Sequence, residues 1–374
     1  MPPVPPMPLI PLLVPDMPTA EQLLPWLRRI DAARRYTNFG PLAGELEAQL
    51  ASRFGAAAGH VVSVANCTLG LELTLGALGL APGARVLLPA LSFVATATAV
   101  LRAGMRPVLS DIDAKTWSLS PRIAREAVRA RAIDCVMPVA TFGRAQEAGA
   151  WDRFADESGV PVLVDAAGAF GNQRPAERIH QVFSLHATKS LGIGEGGFLL
   201  TPDAGVAARL RRLSNFGIEL PSGIVPVAGT NAKLSEYHAA VGLAALATWE
   251  ERAERRRALA RRYQSALRRA CAALAFQARP SGGVYTIFPV RLPDAADAVS
   301  VAALLAARGV ETRRWYHPLL SEHPAFLAAE TTGGLPAARG LSGRILGLPF
   351  HLRLSGSDLE RICSAVAAAV AGAR

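Results

Sequence analysis

Val182-Phe-Ser-Leu-His-Ala-Thr-Lys189-Ser-Leu-Gly-Ile-Gly-Glu-Gly-Gly197-Phe-Leu-Leu200 sets one lysine in a glycine-rich loop between two short apolar runs. The runs read as strands and the loop as their connection. The chain carries 40 lysines and arginines, and only Lys115, Lys189 and Lys233 are lysine. A bias toward arginine removes lysines wherever charge alone matters, so one kept beside such a loop asks for another reason. Lysine, unlike arginine, can lose its proton near neutral pH and attack a carbonyl carbon. Lys189 is therefore the first candidate for covalent attachment of an aldehyde cofactor. A solvated loop lysine is the competing reading, which the surroundings have to overturn.

Outward from this loop, helices alternate with short apolar runs from about Asp31 to Thr201, the signature of a mostly parallel sheet flanked by helices. Leu42 to Phe54 reads as an amphipathic helix, Val61-Val-Ser-Val-Ala65 as a strand, and Asn66-Cys-Thr68 as the start of a helix through Leu78. Further strands are Arg85–Pro89, Arg106–Ser110, Asp134–Val139 and Pro161–Asp165, separated by helices over Phe93–Ala103, Arg122–Ala130 and Trp151–Ser158. Beyond the loop, helices are expected over Val206–Leu213, Asn231–Ala247 and Glu250–Ala270. The last part has strands at Tyr285–Val290 and Val310–Thr312 and helices over Val301–Ala307 and Ser357–Ala371. The fold expected is α/β, with an extended arm over 1–18, a large domain over 19–249 and a small C-terminal domain over 250–374.

Size and composition agree. A chain of 374 residues, 51% hydrophobic and 19% charged, has enough apolar material for a sizeable core in two domains. Met1-Pro-Pro-Val-Pro-Pro-Met-Pro8 is too proline-dense for a helix, and no basic cluster precedes an apolar stretch as in a signal peptide. The apolar region from Val61 to Val100 is broken by Glu72, Pro82, Arg85 and Pro89, so no membrane span is expected. Cys67, Cys135, Cys271 and Cys363 stand far apart and read as free thiols in a reducing cytoplasm. A net charge of +10 suits nucleic acid, anionic lipid or a phosphorylated small molecule. The densest basic cluster, Arg252 to Arg269, is interleaved with Glu250, Glu251 and Glu254 and reads as the solvated face of a long helix. Tyr263 is its only aromatic, too few to stack nucleic-acid bases.

In a parallel sheet, ligands gather outside the carboxyl ends of the strands. Thr68 lies where a strand becomes a helix, so its hydroxyl and the free amides of the first turn could hold a phosphate; a plain N-cap is the alternative. Asp165 ends a strand, where it caps a loop or pairs with a protonated ring nitrogen. Ser184 and Lys189 follow the next strand. Together they supply a phosphate cradle, a counter-ion for a pyridinium and an amine for an aldehyde, the requirements of pyridoxal phosphate.

The order of these pieces, with Tyr36-Thr-Asn-Phe-Gly-Pro41, Asp111-Ile-Asp113, Asp165-Ala-Ala167, Ser184-Leu-His-Ala-Thr-Lys189, Gly194-Glu-Gly-Gly197, Gly229-Thr-Asn-Ala-Lys-Leu-Ser-Glu236 and Leu348-Pro349, resembles the DegT/DnrJ/EryC1/StrS family of sugar aminotransferases. The resemblance covers about residues 20 to 372. It implies the aspartate-aminotransferase-like fold (fold type I), pyridoxal 5'-phosphate as cofactor, and a nucleotide-linked keto sugar and an amino-acid donor, glutamate or glutamine, as substrates. It also implies roles. Lys189 would be the attachment point and acid/base, and Asp165 the partner of the pyridine nitrogen. Thr68 and Ser184, with the Cys67 amide, would bind phosphate. Phe93 would stack on the cofactor ring, the alternative being a core aromatic. Asn231 would reach the cofactor phosphate of the neighbouring subunit, which makes a homodimer with shared sites.

This sequence departs from the family pattern at three places. Cys67 stands where a glycine is common. Gly168 replaces the glutamine or histidine usual near the cofactor's phenolic oxygen, which leaves a hydrogen bond to water or another residue. Ala232-Lys233 replaces an aromatic and an arginine, and Lys233 is expected as a charge contact near the dimer-facing site. His186 reads as a substrate contact or a satisfied structural histidine, and His317 as part of a segment closing toward substrate. Neither has the companions of a metal site. Within the family the rival substrate is a keto-cyclitol; outside it, the rival is a non-catalytic basic regulatory protein on the same scaffold.

Overall fold

The computed structural model describes residues 8–373. Its strands are β1 (Val61–Val64), β2 (Arg85–Pro89), β3 (Arg106–Ser110), β4 (Cys135–Val136), β5 (Leu163–Asp165), β6 (His180–Ser184), β7 (Gly197–Leu200), β8 (Ala275–Phe276), β9 (Phe288–Arg291), β10 (Glu330–Thr331) and β11 (Ile345–Leu348). Two four-stranded ladders, β1-β7-β6-β5 and β10-β3-β2-β4, are joined through parallel bridges at Val136–Val162 and Val139–Asp165. The result is one continuous mixed sheet. β7 runs antiparallel to β1 and β6, and the other ladder pairs are parallel.

The strands alternate between two cores, as buried strands must when both faces are covered. Val61, Leu87, Val136, Val164 and Phe183 enter the core shared with helices Pro41–Phe54, Ala148–Ser158 and Glu236–Ala247. Val62, Val86, Leu88, Leu163 and Val182 enter the core shared with helices Cys67–Ala77, Val94–Arg102 and Ala204–Leu213. A third core joins β9, β11 and helices Ala298–Ala306 and Gly356–Gly372 to the second half of helix Trp249–Ala270. Residues 319–341, though late in the chain, bury Leu319, Leu320, Phe326, Leu335 and Leu341 in the second core, beside β2 and β3.

Several expected elements change length. The helix expected from Asn231 begins at Glu236, because Ser235 accepts from the His238 amide and caps it. The strand expected over Asp134–Val139 contracts to Cys135–Val136, and that over Val310–Thr312 to a single bridge between Val310 and Ile10. The helix Ala20–Ala33, with a Thr19 capping box, went unread.

Of the expected arm, residues 1–7 lie outside the described residues. The rest is fastened rather than loose. The Ile10 amide donates to Gly309 O at 2.8 Å, and the Leu12 amide to Glu311 Oε2 at 2.8 Å. Asp16 meets Arg252 Nε at 2.7 Å. Arg252 and Arg256 are therefore buried under the arm, while Arg255 and Arg261, with the half-buried Arg257, form the glutamate-paired face expected of that helix. Among the described residues, no helix is long and apolar enough to cross a membrane.

Candidate active site

The lysine loop is the tip of the β6–β7 hairpin. Ser184 pairs with Gly197, and the ladder continues beyond the strands through Leu185 N to Gly196 O at 2.9 Å and Ala187 N to Gly194 O at 2.8 Å. Such a fold-back, in place of a crossover helix, is what makes β7 antiparallel. Gly197 has a steric reason: a Cβ there would lie 2.8 Å from the Cys67 amide nitrogen. The hairpin thus passes directly against the start of helix Cys67–Ala77.

Alternation along the strands aims the site residues. Leu163 and Val182 face the second core, so Asp165 and Ser184, two residues further on, leave the sheet on that same side. There they meet the N-termini of two helices. Asn66, not Thr68, caps the first: its Oδ1 accepts from the Leu69 amide at 2.9 Å. The N-cap alternative for Thr68 therefore falls. The second helix, Val94–Arg102, has Phe93 at its N-cap with no side-chain cap bond, and Phe93 is 57% exposed, which removes the core-aromatic alternative.

These residues enclose a cavity of about 670 Å³. Cys67, Thr68, Phe93, Asp165, Ser184 and Lys189 all line it, although they come from four separate stretches of chain. His186 lines it too. Its Nδ1 lies 2.9 Å from Thr188 Oγ1 and 3.2 Å from the Thr188 amide nitrogen, and its Nε2 lies 3.8 Å from Glu195 Oε1. Two expected residues lie elsewhere. His317 is exposed, with Nδ1 3.1 Å from Ser342 Oγ, and Asn231 is exposed at a bridge to Asn215; neither lines the cavity. Lys233 packs its ammonium 4.7 Å from the centre of the Phe216 ring.

Burial governs the electrostatics. Desolvation pushes the Asp165 carboxyl up, while hydrogen bonds from Thr96 and the Ala167 amide, and the Lys189 charge, pull it back. Thr96 Oγ1 donates to Asp165 Oδ2 at 2.8 Å and is itself 2.8 Å from Ser92 Oγ, so the carboxylate is held at a fixed angle. Desolvation pulls Lys189 below the ordinary lysine value, against the opposing influence of Cys67 and Asp165. The Cys67 thiol is driven up by burial and by Asp165, so it is a neutral group there. A desolvated amine is the form that can act as a nucleophile or take a proton.

Sequence reasoning missed the opposite wall. Phe142 and Tyr316 line the cavity with rings stacked at 5.2 Å and 3° between planes, and Phe93 lies 6.3 Å from Tyr316. Burial and the neighbouring Asp165 push the Tyr316 hydroxyl up, so it stays protonated. Arg313 and Trp315 line the same side. A faint signal existed: Thr141-Phe-Gly143 follows a strand end, and the closing segment around His317 holds two aromatics just before it. Phe142 has φ 57°, a left-handed conformation that costs a bulky residue roughly 1–2 kcal/mol. Gly143 follows at φ 82°, and a Cβ on Gly168 would lie 3.3 Å from the Gly143 nitrogen. The side chain missing at 168 is thus replaced by backbone of the 141–143 turn.

A deep carboxylate, a desolvated amine, a helix N-terminus with hydroxyls beside it, and an uncovered aromatic face fit pyridoxal phosphate. The folding pattern and this donor set define a cofactor-dependent aminotransferase site on the aspartate-aminotransferase-like fold. Residues 19–367 match the DegT/DnrJ/EryC1/StrS aminotransferase family, and the chain belongs to it. A UDP-2-acetamido-2-deoxy-3-oxo-D-glucuronate aminotransferase of Pseudomonas aeruginosa is 31% identical over 87% of this chain and 90% of its own length. Among solved structures, a putative PLP-dependent aminotransferase from Bacillus cereus superimposes with a TM-score of 0.90 at 27% identity, covering 96% of this chain and 99% of that one. The structure of DesI in the presence of its TDP-sugar product has a TM-score of 0.85 at 33% identity, covering 97% of this chain and 94% of that one.

Proposed function

We propose that this aminotransferase moves an amino group from an amino acid, glutamate or glutamine, to a keto sugar linked to a nucleotide. The observation that carries the proposal is the convergence of Lys189 and Asp165 on one cavity, each influencing the other's proton affinity. Pyridoxal phosphate, when bound, supplies the aldehyde that captures the amino group and the ring that accepts its electrons. Lys189 Nζ holds the attachment point and then carries a proton to and from the substrate carbon, a task its depressed proton affinity suits. Asp165, oriented by Thr96, keeps a proton on the ring nitrogen. Thr68, Ser184 and the amide of Cys67 bind the phosphate at the helix N-terminus. Phe93 covers one ring face, and His186 contacts substrate.

The net charge of +10 favours a substrate that brings a diphosphate. The relatives named above include one described with a UDP-linked oxo sugar and one with a TDP-sugar product, which supports a nucleotide-linked acceptor. We further propose a cytoplasmic homodimer with shared sites. Leu220, Ile224, Val225 and Val227 are each about half exposed or more, in the loop that leads to the exposed Asn231, an apolar surface that a second subunit would cover. Asn231 would then reach the neighbour's cofactor phosphate, and His317 would lie in the segment that moves toward substrate.

The test is reduction of the cofactor-loaded protein with borohydride, followed by peptide mass spectrometry, alongside assay of UDP- and TDP-linked 3-keto and 4-keto sugars. A label on Lys189 and turnover of one such sugar are expected. Cofactor label with turnover of free keto-cyclitols alone would replace the acceptor. Absence of any label would end the enzymatic reading and favour a non-catalytic role.

A further inference from the structure

Arg279 lies outside that cavity, is half-buried beside a second, smaller pocket, and has no carboxylate partner among the described residues. Desolvation lowers its proton affinity to about 10. Burying a guanidinium without a counter-ion is expensive, and such a group persists where its hydrogen bonds have a task. Its donors fan out to three oxygens: Gln277 Oε1 at 2.7 Å, Ile287 O at 3.2 Å and Phe142 O at 3.0 Å. Its guanidinium carbon lies over the Tyr285 ring, 4.2 Å from the ring centre.

Gln277 completes the clamp. Its Nε2 donates to Thr141 O at 3.1 Å and to Thr116 O at 2.8 Å. Two successive carbonyls of the 141–143 turn are therefore gripped from the 277–287 segment. That segment is pinned in turn, by the Ala278 amide to Lys115 O at 2.9 Å and by Arg144 Nε to Ala278 O at 2.7 Å. Phe142 sits between the gripped carbonyls in its left-handed conformation. A strained residue beside a site persists only when its surroundings over-determine it.

We infer that Arg279 is a positioning residue: with Gln277 it holds the 141–143 turn so that the Phe142 ring lies flat on Tyr316 and forms one wall of the cofactor cavity. The inference rests on the proposed cofactor reading for its consequence, but the clamp itself is tested without cofactor. Released from the clamp, Phe142 relaxes toward ordinary backbone angles, its ring leaves Tyr316, and the cavity has to be ordered again when cofactor binds.

Arg279→Met keeps the bulk and removes the donors; Arg279→Lys keeps the charge but cannot reach three acceptors at once; Gln277→Ala removes the second grip. In apo protein, well below the melting temperature, Arg279→Met is expected to speed hydrogen exchange of amides 140–144 at least roughly tenfold while the core of β5 and β6 keeps wild-type protection. Titrated with pyridoxal phosphate, it is expected to bind roughly tenfold more weakly, with Arg279→Lys between it and wild type. Wild-type exchange at 140–144 together with wild-type affinity in folded Arg279→Met would overturn the inference. So would exchange that rises evenly over the whole chain with affinity unchanged, since that marks a stability role only. If Arg279→Met does not fold, Arg279→Lys and Gln277→Ala are read by the same two criteria. If wild-type protein takes up no pyridoxal phosphate, the functional reading falls, and exchange at 140–144 still decides the fate of the clamp.

Discussion

The two walls of the cavity are built by different means. One is the carboxyl edge of the sheet, where Asp165, Ser184 and Lys189 leave β5, β6 and the hairpin at positions fixed by strand register. The other is an aromatic stack, Phe142 on Tyr316, assembled from segments 174 residues apart (316 minus 142) and braced by Arg279. The first wall holds groups whose protonation matters and the second holds shape. Substitutions in the first should therefore reach the rate of the chemical step, and those in the second should reach affinity. Asp165→Asn and Tyr316→Phe would blur that division if they came out otherwise, while Glu236→Ala and His180→Gln probe the frame behind it.

The largest effect is expected from Asp165→Asn. It keeps the size and removes the charge, so under the proposed function the ring nitrogen would lose its partner, and kcat should fall roughly 10³-fold while cofactor stays bound. Stopped-flow measurement of the half-reaction checks this; a variant that merely lost cofactor would make Asp165 an anchor rather than an electronic group. Next is Glu236→Ala, in the frame that supports both walls. Glu236 is fully buried and accepts from the Leu42 and Ala43 amides, both at 2.8 Å, at the start of helix Pro41–Phe54. Its removal leaves two amides unpaired and a void, at a cost of about 3 kcal/mol. Denaturant unfolding should report that loss, with KM of the remaining folded enzyme unchanged.

A smaller effect follows from pH. Burial depresses His180, in β6, from 6.5 to about 4. Below about 6.5 the unfolded chain takes up a proton that the folded chain refuses until about 4. Stability should fall as pH drops through that window, by at most about 3 kcal/mol, and be unaffected by this group above it. Melting temperatures of His180→Gln should show a shallower slope over the same range. The smallest effect is Tyr316→Phe. It keeps the stack on Phe142 and removes only the hydroxyl, so KM should rise by less than about tenfold with kcat nearly unchanged. A fall in kcat like that of Asp165→Asn would move Tyr316 onto the chemical wall.

The first wall could be read from residues because it depends on local pattern. A period of two along Leu163-Val-Asp165 and Val182-Phe-Ser184 fixes which side chains leave the sheet on one face, and a strand ending in a carboxylate or a lysine loop is visible in a short window. The helices at 67 and 94 were placed to within a residue or two for the same reason. The choice of Asn66 over Thr68 as cap was not visible, since either side chain suits an N-cap. His317 was picked in the closing segment, yet Trp315 and Tyr316 are the residues that line the cavity, because the turn of that segment cannot be computed from neighbours in sequence.

By itself, then, the chain's order of residues determined the alternating α/β framework, the two apolar runs that flank the Lys189 loop and the strand end at which Asp165 stands, all consequences of short-range pattern. Only the tertiary structure decided the aromatic wall, the clamp of Arg279 and Gln277 behind it, and the fastening of the arm through Asp16 to Arg252. Those contacts join segments more than a hundred residues apart. Their geometry comes from close packing, which accepts one arrangement of many-atom contacts and leaves no periodic trace in the sequence.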